Sequence, residues 1–243
     1  MLPLPPIGSF PETMGDSMYT LYFGNCNYSS WSLRPWLLMR HFAIPFTERQ
    51  VEVLGQGPNE RHRGYSPNGL VPCLHVDGFE VWDTLAIAEF LAERHAGLWP
   101  GDDLARARAR SISCEMHAGF TALRGAMPMN IKLRLSGAEL PADVQADVDR
   151  VAEIWAGTRE RFGGIAAGPY LFGAFSIADA MFAPVVWRFH AYNVALPAAA
   201  AAYRDVMLAH SGMRTWERMA LAETQAFPHY DALAERFGGP REG

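Results

Sequence analysis

Lysine is almost absent from this 243-residue sequence: Lys132 is the only one, and the other basic side chains are arginines. The formal net charge is -5, which argues against nucleic acid or an anionic membrane surface as the main partner. Long apolar runs are also missing, and the most apolar stretch, 178–202, is broken by charged and polar side chains. A bilayer-spanning helix needs about 20 consecutive apolar residues, so none is predicted.

Cysteine is scarce as well. Cys26, Cys73 and Cys114 lack the spacing of metal ligands and cannot all pair with one another, so no metal site is predicted. Unpaired thiols indicate a reducing compartment, and we expect the protein in the cytoplasm. Residues 1–17 carry four prolines and no basic head before an apolar core, which predicts a flexible leader rather than an export signal.

The segment 68–84 holds the most specific local signals in the chain. Pro72 gives no N–H to a sheet ladder and is therefore expected at a strand start or an edge. Asp77-Gly78 between two apolar runs predicts a hairpin with a type I′ turn, in which both central residues take positive φ. A hairpin that starts at such a proline presents one extended backbone residue to a ligand, so we interpret this segment as a binding-site candidate.

The pattern of elements divides the chain into two parts. Over 18–97 it alternates strand, helix, strand, strand, strand and helix, which is an α/β plan. The predicted strands cover 19–23, 46–53, 71–76 and 79–82, and the predicted helices cover 30–41 and 84–94. After a linker at 97–101, strand signals almost vanish, and 103–243 is predicted to be all-α. Its helices are expected from Asp102 or Asp103 to about Leu123 or further, from Pro141 to about Phe162, from a capping box at Ser176 and Asp179, from Pro197, and from Ser211.

Four motifs in this order resemble the cytosolic glutathione transferase family, and the resemblance covers nearly the whole chain from Tyr19 on. They are Ser29-Ser30-Trp31-Ser32-Leu33-Arg34-Pro35-Trp36, Ser66-Pro67-Asn68-Gly69-Leu70-Val71-Pro72, Asp83-Thr84, and Ser176-Ile177-Ala178-Asp179. The resemblance implies a thioredoxin-like N-terminal domain that binds glutathione. It also implies an all-α C-terminal domain that supplies the pocket for a second substrate.

The resemblance implies a catalytic hydroxyl in the loop before the first helix, where Ser29 and Ser30 lie. The spacing of Ser29 to Arg34 resembles the zeta and tau classes, and Ser30 matches a tighter, theta-like spacing. A free thiol has a pKa of roughly 8.5, and a hydroxyl donor at a helix N-terminus favours the thiolate. We expect Ser29 to be catalytic, with Ser30 as the alternative; either serine could instead serve only as a helix cap.

Other side chains compete for the catalytic role. Tyrosine serves in some classes of the family, but at a place nearer the first strand, where Tyr22 lies, whereas Tyr28 comes later. Cys26 would imply thiol-disulfide reductase chemistry, although it lies three residues too early for the helix N-terminus to lower its pKa. Trp31 stands where the zeta class has a cysteine, which weakens the transfer of maleylacetoacetate isomerase activity to this chain.

The resemblance also implies which residues bind glutathione. A cis Val71-Pro72 bond would leave the Val71 backbone to pair with the cysteinyl unit, and Asp83 with Thr84 would hold the γ-glutamyl end. The complete set of expected glutathione contacts is Asn68, Val71, Pro72, Asp83, Thr84 and Trp31. Leu70 replaces a lysine that is often found before the Val-Pro pair, so His62 and Arg63 are candidates for the glycyl carboxylate.

The second-substrate pocket is expected against the first long helix of the C-terminal domain. Met116, Phe120, Leu123 and Met127 follow helical spacing and are predicted to line it, although such a stripe is also typical of a core. Arg124, near the end of this stripe, could meet an acidic substrate or simply be solvated.

Three functional hypotheses follow. The leading one is a homodimeric glutathione S-transferase, active in detoxification, in which glutathione is the co-substrate and its thiolate attacks a small electrophile. A glutathione-dependent isomerase is the first alternative, and a reductase acting through Cys26 is another. A non-catalytic interaction protein on the same fold remains open, since fold does not fix function.

Overall fold

A four-stranded sheet forms in the first part of the chain. The computed structural model describes residues 18–53 and 57–240, so the predicted leader 1–17 lies outside the described residues. The strands are β1 (Tyr19–Phe23), β2 (Thr47–Gln50), β3 (Cys73–Val76) and β4 (Phe79–Trp82). Their order is β2-β1-β3-β4, with β1 parallel to β2 and antiparallel to β3, and β3 antiparallel to β4.

Two helices complete this thioredoxin-like unit. Helix α1 (Ser30–His41) is the crossover between the parallel strands β1 and β2, and α2 (Thr84–Ala92) follows the hairpin. Asp77 and Gly78 take φ values of 48° and 81°, which confirms the predicted turn with positive φ at both central residues. A short 3₁₀ helix at Glu60–His62, which the sequence did not predict, precedes β3.

The rest of the described chain is helical apart from loops, a second 3₁₀ turn and isolated bridges. The helices are α3 (Asp103–Ala118), α4 (Thr121–Ala126), α5 (Ala142–Phe162), α6 (Ile177–Ala191), α7 (Ala198–Ala209), α8 (Ser211–Ala222) and α9 (Pro228–Ala234). Helix α6 is buried on nearly all sides, as expected for the central helix of a bundle. None of the helices in the described ranges is long and apolar enough to cross a membrane.

The predicted first long helix is interrupted, which corrects its expected end near Leu123. Helix α3 stops at Ala118, and Phe120 adopts the left-handed conformation with φ 57° before α4 begins. At Gly119, a Cβ atom would lie 2.7 Å from the Glu115 carbonyl oxygen, so glycine permits this turn. The new start is capped over a long range, because Asp147 on α5 accepts a hydrogen bond of 2.9 Å from the Leu123 N–H.

The capping box at the start of α6 forms as predicted and extends into a buried network. The Ser176 backbone N–H donates to Asp179 Oδ2 at 2.9 Å, and the Ser176 hydroxyl donates to the same atom at 3.0 Å. Asp179 Oδ1 accepts from the Leu171 N–H at 3.1 Å and from the Tyr203 hydroxyl at 2.9 Å. This single carboxylate therefore joins the loop before α6 to α7.

The sheet unit and the helical part meet along α1, which packs against α6 and α8. Arg34 Nε donates to the Met181 carbonyl oxygen at 3.1 Å, and Trp216 Nε1 donates to the Cys26 carbonyl oxygen at 2.8 Å. At the far end of α1, His41 Nδ1 lies 2.8 Å from His210 Nε2. The contact between the two parts is thus polar as well as apolar.

The histidine pair predicts a pH-dependent stability. His210 Nδ1 accepts from the Gly212 N–H at 3.0 Å, so its proton must lie on Nε2 and point at His41. Burial, with a smaller contribution from His41, lowers the pKa of His210 to about 4. The folded state favours neutral His210, whereas the unfolded chain takes up a proton below about pH 6.5. The contribution of this histidine to the free energy of unfolding is therefore complete above about pH 6.5 and is lost as the pH falls towards 4.

Replacing His210 with asparagine should therefore remove this pH dependence. Asparagine keeps the acceptor for the Gly212 N–H but cannot titrate. Urea unfolding of both proteins should show the wild type losing about 2–3 kcal/mol relative to His210→Asn between pH 7 and pH 4. Parallel stability curves for the two proteins over this range would contradict the assignment.

Candidate active site

A cavity of about 940 Å³ lies between the sheet unit and the helical part. The N-terminus of α1, the loop before β3 and the start of α2 form one side. Helices α4, α6 and α9 provide the other. All eight residues of the predicted catalytic and glutathione-binding sets line it, namely Ser29, Ser30, Trp31, Asn68, Val71, Pro72, Asp83 and Thr84.

Ser29 occupies the N-cap position of α1, but its side chain makes no capping hydrogen bond. Its hydroxyl donates to Ser32 Oγ at 2.7 Å, and Ser32 Oγ also accepts from the Gly24 N–H at 2.9 Å. Hydroxyl hydrogens rotate, so when a ligand accepts the Ser29 hydrogen, Ser32 can turn its own hydrogen towards Ser29 Oγ and keep the two hydroxyls bonded. The chain from Gly24 through Ser32 thus prepares Ser29 as a donor at a helix N-terminus.

The loop that carries Ser29 is fixed by a carboxylate from α8's C-terminal end. Glu223 accepts from the Cys26 N–H at 2.5 Å and from the Asn27 N–H at 3.0 Å. Gln50 Nε2 also donates to Glu223, and Lys132 Nζ donates to its backbone carbonyl oxygen. No local signal predicts this contact, because Glu223 lies almost 200 residues further along the chain.

The rival catalytic residues are placed less favourably. Cys26 is fully buried and does not line the cavity, and burial together with Glu223 raises its pKa far above that of a free thiol. Tyr28 lines the cavity, but its hydroxyl donates to Asp231 at 3.3 Å and accepts from the Phe227 N–H at 3.2 Å. Tyr22 stacks on Tyr65 outside the cavity lining, with ring centroids 4.6 Å apart.

The loop before β3 supplies the second side of the cavity. The Val71-Pro72 peptide bond is cis, as the sequence motif implied. Asn68 Oδ1 braces this loop by accepting from the Ser66 hydroxyl at 2.9 Å and from the Leu70 N–H at 3.0 Å.

His62 and Arg63, the two residues predicted to bind an anion near this loop, point in different directions. His62 lines the cavity; its Nε2 lies 3.0 Å from the Glu52 carbonyl oxygen, and its buried Nδ1 has no partner among the described residues. Arg63 instead binds Glu60 and the Pro67 carbonyl oxygen, and it does not line the cavity. Of the two, His62 is the one placed to meet a ligand.

Asp83 and Thr84 begin α2 at the edge of the cavity. Asp83 is the N-cap, has φ 73°, and its Oδ1 accepts from the Leu85 N–H at 2.9 Å. Asp83 Oδ2 lies 3.3 Å from His117 Nε2. The buried Thr84 hydroxyl has no hydrogen-bond partner within the described part of the chain, which leaves it available to a ligand. A positive φ at a non-glycine residue is typical of functional sites.

The predicted lining on the helical side needs correction. Met116, Phe120, Leu123 and Met127 are buried, with at most 6% of any residue exposed, and they belong to the hydrophobic core. The residues that line the cavity here are their neighbours Thr121, Arg124, Gly125, Pro128 and Met129, with Arg188 from α6 and Phe227, His229, Tyr230 and Leu233 around α9. Helical periodicity found the buried face of these segments but not the face that borders the cavity.

Trp31 connects the two sides of the cavity. The centroid of its ring lies 4.3 Å from the Arg34 guanidinium and 4.8 Å from that of Arg124, and the ring packs in a T-shaped contact with His117.

Within residues 18–53 and 57–240, no three histidine, cysteine or acidic side chains cluster closely enough to hold a metal ion.

Two parts of the chain match models of known protein families. Residues 28–94 match the family model of the glutathione S-transferase N-terminal domain, and residues 136–218 match that of the C-terminal domain. The chain belongs to the glutathione S-transferase family. The resemblance drawn from the sequence motifs is thereby confirmed, as is the fold of a thioredoxin-like unit followed by a helical one.

Two individual relatives match only part of this member of the glutathione S-transferase family. It is 30% identical over 108 residues to a probable maleylacetoacetate isomerase from Caenorhabditis elegans, covering 44% of this chain and 48% of the relative. It is 43% identical over 54 residues to the maleylacetoacetate isomerase of Rhizobium meliloti (strain 1021), covering 21% of this chain and 25% of that protein. The chain thus spans about half, or less, of the length of these relatives.

A solved structure shows the shared fold over a longer span. The glutathione transferase homologue from Burkholderia GL BGR1, crystallised with bound glutathione, superposes with a TM-score of 0.61 at 22% identity. The match covers 84% of this chain and 98% of that one. At this identity the likeness establishes the fold alone. The reaction has to be inferred from the residues that line the cavity.

Proposed function

We propose that this protein is a glutathione-dependent enzyme in which Ser29 stabilises the thiolate of bound glutathione for attack on an electrophilic carbon. The observation that carries the proposal is the Ser29 hydroxyl, which borders the cavity at the N-cap position of α1 and makes no capping hydrogen bond. A hydrogen bond to the charged form and the helix dipole both lower the pKa of a bound thiol. Ser30 also borders the cavity and is the second choice.

The cavity offers suitable groups for the rest of glutathione. We assign the γ-glutamyl carboxylate to the free Thr84 hydroxyl at the start of α2, and the γ-glutamyl ammonium to Asp83. The Val71 backbone would pair with the cysteinyl unit, and a protonated His62 would donate from Nδ1 to the glycyl carboxylate while its Nε2 keeps the bond to the Glu52 carbonyl oxygen. Trp31 and Asn68 border the same space and complete the predicted set of contacts.

Two reactions use such a thiolate. In a transfer, sulfur forms a bond to the electrophilic carbon while a leaving group departs with its electron pair. In an isomerisation, sulfur adds to an activated double bond, the new single bond rotates, and sulfur is expelled again with no net change. Transfer is our first choice; isomerisation is the alternative, and the names of the two partial relatives favour it.

The remaining hypotheses are weaker. Cys26 is buried with its pKa raised, so reductase chemistry through this thiol is disfavoured. A binding protein without catalysis would not need a serine hydroxyl prepared by a second hydroxyl. A homodimer, a cytoplasmic location and a role in detoxification stay predictions from the family resemblance.

The proposal is tested by binding and turnover together. Glutathione at millimolar concentration should raise the melting temperature of the purified protein, and oxidised or S-methylated glutathione serves as a matched comparison. Conjugation of 1-chloro-2,4-dinitrobenzene and isomerisation of maleylacetone should then be assayed in parallel. Binding with activity in neither assay would favour the scaffold hypothesis, and absence of binding would refute the proposal.

A further inference from the structure

Two arginines border the helical side of the cavity, and neither has a carboxylate partner within residues 18–53 and 57–240. Arg188 on α6 is 5% exposed, and its Nε donates to the Met127 carbonyl oxygen at 2.8 Å. Arg124 on α4 donates from one Nη to the carbonyl oxygens of His117 and Gly119, each at 3.2 Å. Among the described residues, neither guanidinium forms an ion pair, and no further partner is found for their other nitrogens.

Several arginines on the outside of the protein, by contrast, form ion pairs. Arg150 pairs with both Glu115 and Glu153, and Arg134 pairs with Glu217. A buried guanidinium without a counter-ion is costly, because its charge leaves water for a medium of lower dielectric constant. Arg150 and Arg134 thus have carboxylate partners, whereas the more deeply buried Arg188 has none among the described residues.

A third arginine strengthens the positive field. Arg34, 3% exposed, lies behind Trp31, and its buried Nη1 has no partner in the described ranges. Burial, with a smaller contribution from Arg124, lowers the pKa of Arg188 to about 10. Burial lowers the pKa of Arg34 to about 9, with smaller contributions from Arg188 and Arg124. All three remain cations at neutral pH and repel one another, so an anion between them would be stabilised.

Glutathione's own charges have other partners in the proposed complex. Its γ-glutamyl end is assigned to Asp83 and Thr84, and its glycyl end to His62. Asp83 is the only carboxylate among the described residues that line the cavity, and it lies on the side of α2. Arg188 instead lies near Tyr230 and the Met127 carbonyl oxygen, on the side left for the second substrate.

We propose that the second substrate is an anion: an electrophile that carries a carboxylate, which Arg188 binds with help from Arg124. This inference rests on the proposed function, since it names the substrate class of the same site. A planar guanidinium can bind a carboxylate through two parallel hydrogen bonds, which fixes both the position and the orientation of the electrophile. The carboxylate is an anchor, and the bond-forming carbon lies elsewhere in the molecule, near the sulfur.

The test compares product analogues that differ by one charge. Calorimetry would measure the Kd of S-benzylglutathione and of its 3-carboxybenzyl and 4-carboxybenzyl counterparts, so that the glutathione part is common to all three. We expect at least one carboxylated conjugate to bind about tenfold more tightly than the uncharged one. Arg188→Gln should reduce this ratio to about twofold or less, and Arg124→Gln should reduce it partially.

The control variant is Arg108→Gln, which removes an exposed arginine of α3 and should leave the ratio unchanged. If Arg188→Gln does not fold, Arg188→Lys keeps the charge but loses the two-pronged geometry, and the ratio should fall for this variant as well.

The outcomes separate the two proposals. A wild-type protein that binds S-benzylglutathione and shows no preference for either carboxylated conjugate refutes the inference while the proposed function stands. Equal weakening of all three ligands in the Arg188 variant assigns this arginine to glutathione itself and also refutes the inference. A protein that binds none of the three conjugates and no glutathione refutes the proposed function, and the inference with it.

Discussion

Replacing Ser29 with alanine should lower kcat/KM for glutathione conjugation by about 10- to 100-fold at pH 7. The reason is that removal of one hydrogen-bond donor to the sulfur raises the pKa of the bound thiol by about one to two units, and each unit costs about tenfold in thiolate. Steady-state kinetics with a generic aryl halide would measure the loss. The loss should shrink as the pH rises above 8, where the thiol ionises without help.

Ser30→Ala is the matched control for Ser29→Ala, because it removes the same atom from the next residue. We expect it to lower kcat/KM by no more than about threefold, since Ser30 Oγ lacks the hydrogen bond to Ser32 that prepares Ser29. Ser32→Ala should give an intermediate loss. A larger effect of Ser30→Ala than of Ser29→Ala would transfer the catalytic role to Ser30.

Asp179→Ala should be the most destabilising substitution, at about 3–5 kcal/mol, and should prevent the purified protein from folding at 37 °C. The carboxylate is fully buried and accepts four hydrogen bonds, from Leu171, from Tyr203 and twice from Ser176. Burial raises its pKa to about 6, so it is mostly ionised at pH 7.5 and can accept all four. Alanine leaves these donors buried and unpaired.

Unfolding in urea would measure this effect, with Asp143→Ala as control. Asp143 is an exposed aspartate in the first turn of α5 and should cost less than about 1 kcal/mol. Asp179→Asn should lie between the two, because its Oδ1 still accepts while its amide faces other donors. Equal stability of Asp179→Ala and Asp143→Ala would show that the network contributes little.

The elements that could be predicted from the sequence are those fixed by local chemistry. The turn at Asp77-Gly78 needs positive φ at both positions, Ser176 and Asp179 bond to each other, and Pro141 and Pro197 precede helices. Each signal lies within four residues of what it determines. The motifs near Ser29, Val71 and Thr84 are local in the same sense, and these residues do line one cavity.

The features that were missed depend on contacts between distant parts of the chain. Asp147 caps the start of α4 from α5, and Glu223 binds the loop at Cys26 from nearly 200 residues away. Arg188 lies in a mostly apolar helix, where sequence alone gives no reason to place it beside a cavity. Ser32 could have been noticed, because a hydroxyl three residues after Ser29 falls on the same face of the helix.

The most direct test of the central claim is the pKa of glutathione bound to the protein. A difference absorbance titration near 240 nm, on wild type and Ser29→Ala saturated with glutathione, reports the thiolate. We predict a bound pKa of about 7 or below in the wild type and a value near 8.5 in Ser29→Ala. Equal values in the two proteins, or a wild-type value that matches free glutathione, would contradict the role of Ser29.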